Sequence, residues 1–170
     1  VSLWKFDTDL NDTNGANAFT LTGDTVNNNG QILMNNSTKG TSTGSASMQY
    51  ANPVVTSQGE TLTVEFDITF GKHSGKTMSY SLTDANGKAI VSTQICAYDL
   101  SGNTNVKIGG NDVLDDYSKL SAAISRGNNS SSSNKPTHFK NVIDFSSNKA
   151  YVTVSYDGGQ TAEFTGKIGD

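Results

Sequence analysis

The stretch Thr61-Leu62-Thr63-Val64-Glu65-Phe66-Asp67-Ile68-Thr69-Phe70 decides the fold. Leu62, Val64, Phe66, Ile68 and Phe70 occupy every second position, and Thr61, Thr63, Glu65, Asp67 and Thr69 fill the gaps. Successive side chains of a strand point to opposite faces, so this pattern gives one apolar and one wet face. Such a strand belongs to an antiparallel sheet packed on a second layer.

Outward from this strand the same signal recurs. Alternating or short apolar runs predict strands over Ser2–Asp7, Ala18–Thr22, Gln31–Met34, Ala46–Tyr50, Lys76–Thr83, Lys88–Tyr98, Asn105–Ile108, Phe139–Phe145, Ala150–Tyr156 and Thr161–Phe164. Turn signals separate them: Asp84-Ala85-Asn86-Gly87 and Tyr156-Asp157-Gly158-Gly159-Gln160 read as hairpin connections. Many short strands with regular turns read as a sandwich or barrel. Only Tyr117–Ile124 suggests a helix, of one or two turns. Asn35–Ser45 and Arg126–Lys135 read as surface loops, the second carrying the tract Asn128-Asn129-Ser130-Ser131-Ser132-Ser133-Asn134. We expect an all-β, two-sheet antiparallel β-sandwich of jelly-roll, concanavalin A-like form, occupying residues 1–170 as a single domain.

Composition narrows the function. The chain has 170 residues, enough for a real core. Hydrophobic residues make up 34 % and charged residues 16 %, both low, with Ser, Thr, Asn and Gly taking up the difference. Seven Phe, six Tyr and one Trp are spread along it, unlike a disordered chain. The net charge of -4 and the scattered Lys and Arg argue against nucleic acid. No apolar run approaches the ~20 residues that span a bilayer, so no membrane association is expected. Val1-Ser2-Leu3-Trp4 does not read as a signal peptide, so any export signal is expected outside this stretch. The lone Cys96 cannot form an internal disulfide and reads as a buried strand residue. A monomer is expected.

The residues bear on three chemistries. For catalysis, Glu65-Phe66-Asp67-Ile68-Thr69 is similar to the E-x-D-x-E strand of retaining β-glucanases on the concanavalin A-like sandwich, whose alternate carboxylates share one cleft. Thr69 stands where the third acid belongs, and Glu60, Glu65 and Glu163 are the only glutamates. Nothing obvious is left to protonate a leaving group, so no enzyme is expected. His73 and His138 are the only histidines, no Gly-x-Ser-x-Gly elbow exists, and zinc lacks ligands. For metal, Asp7-Thr8-Asp9-Leu10-Asn11-Asp12-Thr13-Asn14-Gly15 spaces oxygen donors as calcium loops do, with Asp7, Asp9 and Asp12 as candidate ligands of a structural Ca²⁺. It is not an EF-hand, since Asp12 and Ala18 stand where Gly and Glu are needed. The plain alternative is an Asx-rich turn. Asn111–Asp116 is a weaker second candidate. For ligand binding, sugar rings stack their C–H faces on aromatics while amides and charged groups bond the hydroxyls. Tyr98, Asn103, Asn105, Tyr117 and His73 are the candidate contacts, and the wet face of Thr63, Glu65, Asp67 and Thr69 is a second platform.

Taken together, Trp4-Lys5-Phe6-Asp7 with Gly15, Thr63-Val64-Glu65-Phe66-Asp67, Ser81-Leu82-Thr83-Asp84-Ala85-Asn86-Gly87 and Tyr151-Val152-Thr153-Val154-Ser155-Tyr156-Asp157-Gly158-Gly159 carry a resemblance. They resemble laminin-G-like and concanavalin A-like β-sandwich modules appended to bacterial polysaccharide-degrading enzymes. The resemblance implies a secreted, non-catalytic carbohydrate-binding module, commonly with structural calcium. Its ligand would be a plant cell-wall glycan such as pectin or hemicellulose, and its partner a covalently linked catalytic domain. A glycoside hydrolase or lyase on the same sandwich, or a surface adhesin, stays open as the alternative.

Overall fold

The computed structural model describes residues 4–6, 9–34, 44–50, 60–71, 77–96, 104–126 and 133–169. The chain divides into two compact units, Val1–Val55 and Thr56–Asp170.

The first unit is built from short strands. β1 (Thr20–Gly23) pairs antiparallel with β4 (Gly44–Ser47), and β2 (Thr25–Asn27) pairs with β3 (Ile32–Met34). The β2–β3 connection uses Asn29 and Gly30, both at positive φ (47° and 89°), the backbone that a tight primed turn requires. Its apolar centre is aromatic: Trp4 meets Phe19 and Tyr50 edge-on at 5.6 and 6.2 Å, and Phe6 meets Phe19 at 5.5 Å. The expected strand over Ser2–Asp7 is not found among its described residues. Trp4 makes only an isolated bridge to Asp12, and Phe6 takes a positive φ of 56° that breaks the extended run.

The second unit is an antiparallel sandwich. Its first sheet has the order β12-β11-β10-β5, from β12 (Thr161–Lys167), β11 (Lys149–Ser155), β10 (Thr137–Asp144) and β5 (Thr61–Ile68). The second has the order β6-β7-β8-β9, from β6 (Thr77–Thr83), β7 (Ala89–Cys96), β8 (Asn105–Ile108) and β9 (Asn111–Asp112). Among the described residues one helix, α1 (Tyr117–Ala123), lies between β9 and β10 and packs on β12. Asp116 caps it, its carboxylate accepting from the Ser118 amide at 2.8 Å, while Leu120 and Ala123 are buried.

Alternation sends one face of each sheet to a common core. Phe139, Ile143, Val152, Val154 and Phe164 come from the first sheet, and Val91, Ile95, Val106 and Ile108 from the second. Phe66 stacks on Phe139 at 5.5 Å and meets Tyr80 edge-on at 4.9 Å, which joins the two sheets. Gly166 lets the layers close, since a Cβ there would stand 3.0 Å from Ile108 Cβ. Within this apolar layer Asn141 is fully buried, and its side-chain oxygen accepts the Tyr80 hydroxyl at 2.9 Å. The all-β sandwich expectation is therefore met. Several strands differ at their ends: Phe139–Phe145 lies at Thr137–Asp144, and the last strand runs on to Lys167. Cys96 is half-buried rather than buried, because it closes β7 on the outward face while Ile95 points inward.

Candidate functional site

The outward face of the first sheet is fixed by register. Pairing of Glu65 with Lys140 and of Asp67 with His138 places these four side chains on the same face, opposite Phe66, Phe139 and Val154. Carried across β11 and β12, the face reads in four rows. Asp67, His138, Ser155 and Thr161 form the first, and Glu65, Lys140, Thr153 and Glu163 the second. Thr63, Val142, Tyr151 and Thr165 form the third, and Thr61, Asp144, Lys149 and Lys167 the fourth.

This face is polar and internally braced, with one aromatic near its middle. Lys140 Nζ lies 2.9 Å from Glu65 Oε1, and His138 Nδ1 lies 2.9 Å from Asp67 Oδ1. The hydrogen bond from Lys140 is the main reason that the Glu65 carboxyl sits below the usual carboxylate range. Asp144 is held to about 2, mainly because it accepts the Ser146 hydroxyl at 2.6 Å and the Ser147 hydroxyl at 2.7 Å in the turn that follows β10. Tyr151 stands half-buried between the cross-strand neighbours Val142 and Thr165.

The outward face of the second sheet is uncharged over most of its area. Ser79, Gln94 and Asn105 align across β6, β7 and β8, and Ser81, Ser92, Lys107 and Asp112 form the next row. Asn105 is the one expected sugar contact that stands on this face, and no aromatic residue accompanies it on these rows.

The other expected contacts separate. Tyr117 is 41 % exposed and opens α1. Tyr98, Asn103 and His73 lie outside the described residues, as do Asp7 and the 127–132 part of the Ser-rich loop. Tyr80, a further tyrosine on a strand with a polar side, belongs to the core. Thr69 lies beyond the last paired residue of β5, so the third position of the glucanase-like strand is off the ladder.

In the Asp9–Gly15 stretch the carboxylates serve the loop. Asp12 is 4 % exposed and accepts from the Ala16 amide at 2.9 Å, the Asn17 amide at 3.2 Å and the Asn17 side chain at 3.0 Å. Asp9 accepts from the Asn11 amide at 2.9 Å, an Asx turn. In the second candidate stretch Asp112 accepts from the Leu114 amide, Asp115 pairs with Lys119, and Asp116 caps α1. Among the described residues no group of three or more His, Cys, Asp or Glu converges on one point, and no helix is long and apolar enough to cross a membrane.

No local signal in the sequence marks Tyr151 or the β10 and β11 partners as site residues: Tyr151 alternates like any strand residue, and only register shows that it shares a face with Glu65. No protein-family model, curated protein or solved structure matches this chain.

Proposed function

We propose that this protein is a non-catalytic carbohydrate-binding module whose ligand lies on the outward face of the β12-β11-β10-β5 sheet. The observation that carries the reading is Tyr151 in a field of polar side chains that their neighbours already hold in place. A half-exposed tyrosine offers a flat ring to a sugar's C–H face at low entropic cost. Braced carboxylates, lysines and hydroxyls around it can bond the sugar without first being ordered. Affinity on the order of micromolar to millimolar is expected from so few contacts to a hydrated ligand.

The non-catalytic part of the reading rests on the state of the carboxylates. A glycosidase acid needs a carboxyl raised toward neutrality. Glu65 is shifted the other way by Lys140, and Asp67 is paired with His138. In this reading the chain is a concanavalin A-like or jelly-roll module, secreted by a bacterium. It would tether a linked catalytic domain to plant cell-wall glycan and raise the local substrate concentration.

Affinity gel electrophoresis against pectins, xylans, mannans, xyloglucan, β-glucans and starch tests it. Retardation without release of reducing ends supports the module, and Tyr151→Ala should abolish the retardation while the fold stays intact. Release of reducing ends that Glu65→Gln abolishes would favour a glycosidase instead. The structural calcium belongs to the same proposal, at the Asp7–Gly15 loop. EDTA should lower the melting temperature, and an unchanged value removes the ion.

A further inference from the structure

One end of the same sheet face carries two lysines that form no ion pair among the described residues. Lys149 and Lys167 are directly opposed on β11 and β12, both exposed. Like charges in that arrangement repel and weaken a sheet. The neighbour that should relieve them is Asp144, opposed to Lys149 on the other side. Its carboxylate is held by the Ser146 and Ser147 hydroxyls and amides of its own turn, so it stays ionised beside Lys149 without forming an ion pair with it, and the row keeps an excess of one positive charge. Lys119, Lys135 and Lys140 each have a carboxylate within 4 Å, whereas among the described residues Lys149 and Lys167, like Lys5, Lys88 and Lys107, have none; what sets Lys149 and Lys167 apart is that they stand directly opposite each other.

Two further features converge here. Tyr151 is two residues along β11 from Lys149, on the same face, so its ring borders the lysine pair. From the second sheet Lys88 brings its Nζ beside the backbone of Gly169, 3.6 Å from where a side chain would begin, just past the end of β12. Glu163, the acid of β12 on this face, is four strand residues from Lys167. At about 3.3 Å per residue that is about 13 Å, beyond a Debye length of about 8 Å at physiological salt, although Glu163 borders the other side of Tyr151, two residues from its partner Thr165. The overall charge of -4 is screened at longer range, so the charges that a ligand on Tyr151 meets are those of its two flanking rows, and the cationic end is the Lys149–Lys167 one.

We infer that the Lys149–Lys167 end of this face, with Tyr151 as its platform, is an anion subsite for the carboxylates of an acidic, uronate-rich polysaccharide. The inference rests on the carbohydrate-binding reading and narrows its ligand. A uronate chain presents both things the surface lacks: a ring to cover Tyr151, and carboxylates to neutralise the lysines. Neutral glycans supply only the first.

Affinity electrophoresis of the whole chain in polygalacturonate, in its fully methyl-esterified form, in dextran sulfate and in the neutral glycan panel tests it. Retardation by polygalacturonate is expected, with loss on esterification, which keeps the sugar and removes the charge. Lys149→Gln/Lys167→Gln should weaken binding roughly tenfold, the scale of two exposed charge pairs. Lys119→Gln, on α1, should leave it unchanged. Retardation by a neutral or esterified glycan that the double substitution does not alter would overturn the anion subsite and leave the binding module standing. Retardation by dextran sulfate as strong as by polygalacturonate, and insensitive to Tyr151→Ala, would replace a sugar site by unspecific charge attraction. No retardation by any glycan would overturn both readings.

Discussion

The buried bridge between Tyr80 and Asn141 gives the sharpest test of how the sandwich is held. Asn141 has no exposed surface, and its side-chain oxygen accepts the Tyr80 hydroxyl at 2.9 Å while its amide reaches the Val64 carbonyl at 3.4 Å. Tyr80→Phe removes the donor and leaves the oxygen without water or partner, which costs about 1–3 kcal/mol. Asn141→Val does the converse to the phenol and should cost a similar amount. The double substitution replaces both partners by apolar groups, so most of the penalty should vanish. The cycle should then show a coupling of about 1 kcal/mol or more, well above the ~0.5 kcal/mol scatter of independent sites. Urea unfolding of the four proteins measures it. For a chain of this size each kcal/mol shifts the melting temperature by about 2–4 °C, so thermal scans provide a second readout. Two small losses that simply add would refute the claim that this hydrogen bond ties the sheets together.

Other consequences can be checked in the same way. Phe139→Ala should destabilise by about 3–5 kcal/mol, because its ring is wholly buried against Phe66 and Tyr80; a loss under 1 kcal/mol would mean that the core collapses into the space. Gly109→Ala should cost more than about 1 kcal/mol in urea unfolding, since φ is +57° there and a Cβ would meet the Lys167 carbonyl oxygen. Burial pushes the Tyr80 phenol above its ordinary value of about 10, so the folded state holds that proton more tightly than the unfolded chain. Its contribution is complete below pH ~10 and is lost as pH rises above that, and Tyr80→Phe should flatten this alkaline decline. Asp144 behaves oppositely: its contribution is present above the ordinary carboxylate range and is lost as pH falls toward about 2. Asp144→Asn should reduce the acid slope of stability, and an unchanged slope would discount the Ser146 and Ser147 bonds.

Much of the second unit was legible because local signals and tertiary demand agree. The alternation from Thr61 to Ile68 survives intact as β5, and Asp84-Ala85-Asn86-Gly87 turns as its residues demand. The Asp84 carboxylate accepts from the Asn86 and Lys88 amides, and Gly87 takes φ +80°. β2 was missed although Asn29-Gly30 is a strong hairpin signal, because the strands beside it are three residues long and too short to show a period. Within Ser2–Asp7 the described Trp4 and Phe6 gather around Phe19 instead of lining a sheet, which alternation alone does not reveal.

The sequence by itself determined the class of fold, the inward and outward residues of β5, and the lack of an apolar run long enough to span a bilayer, since these depend on neighbours a few positions apart. Only the tertiary structure decided which outward residues meet. Glu65 and Lys140, Asp67 and His138, and Lys149 and Lys167 are brought together by the register of strands distant in sequence. Register is set by how two inner faces fill one core, a property of the whole chain, and a shift of one residue would reverse every face. The same reason made Tyr80 a buried tie between sheets and Tyr151 the aromatic of the outer face.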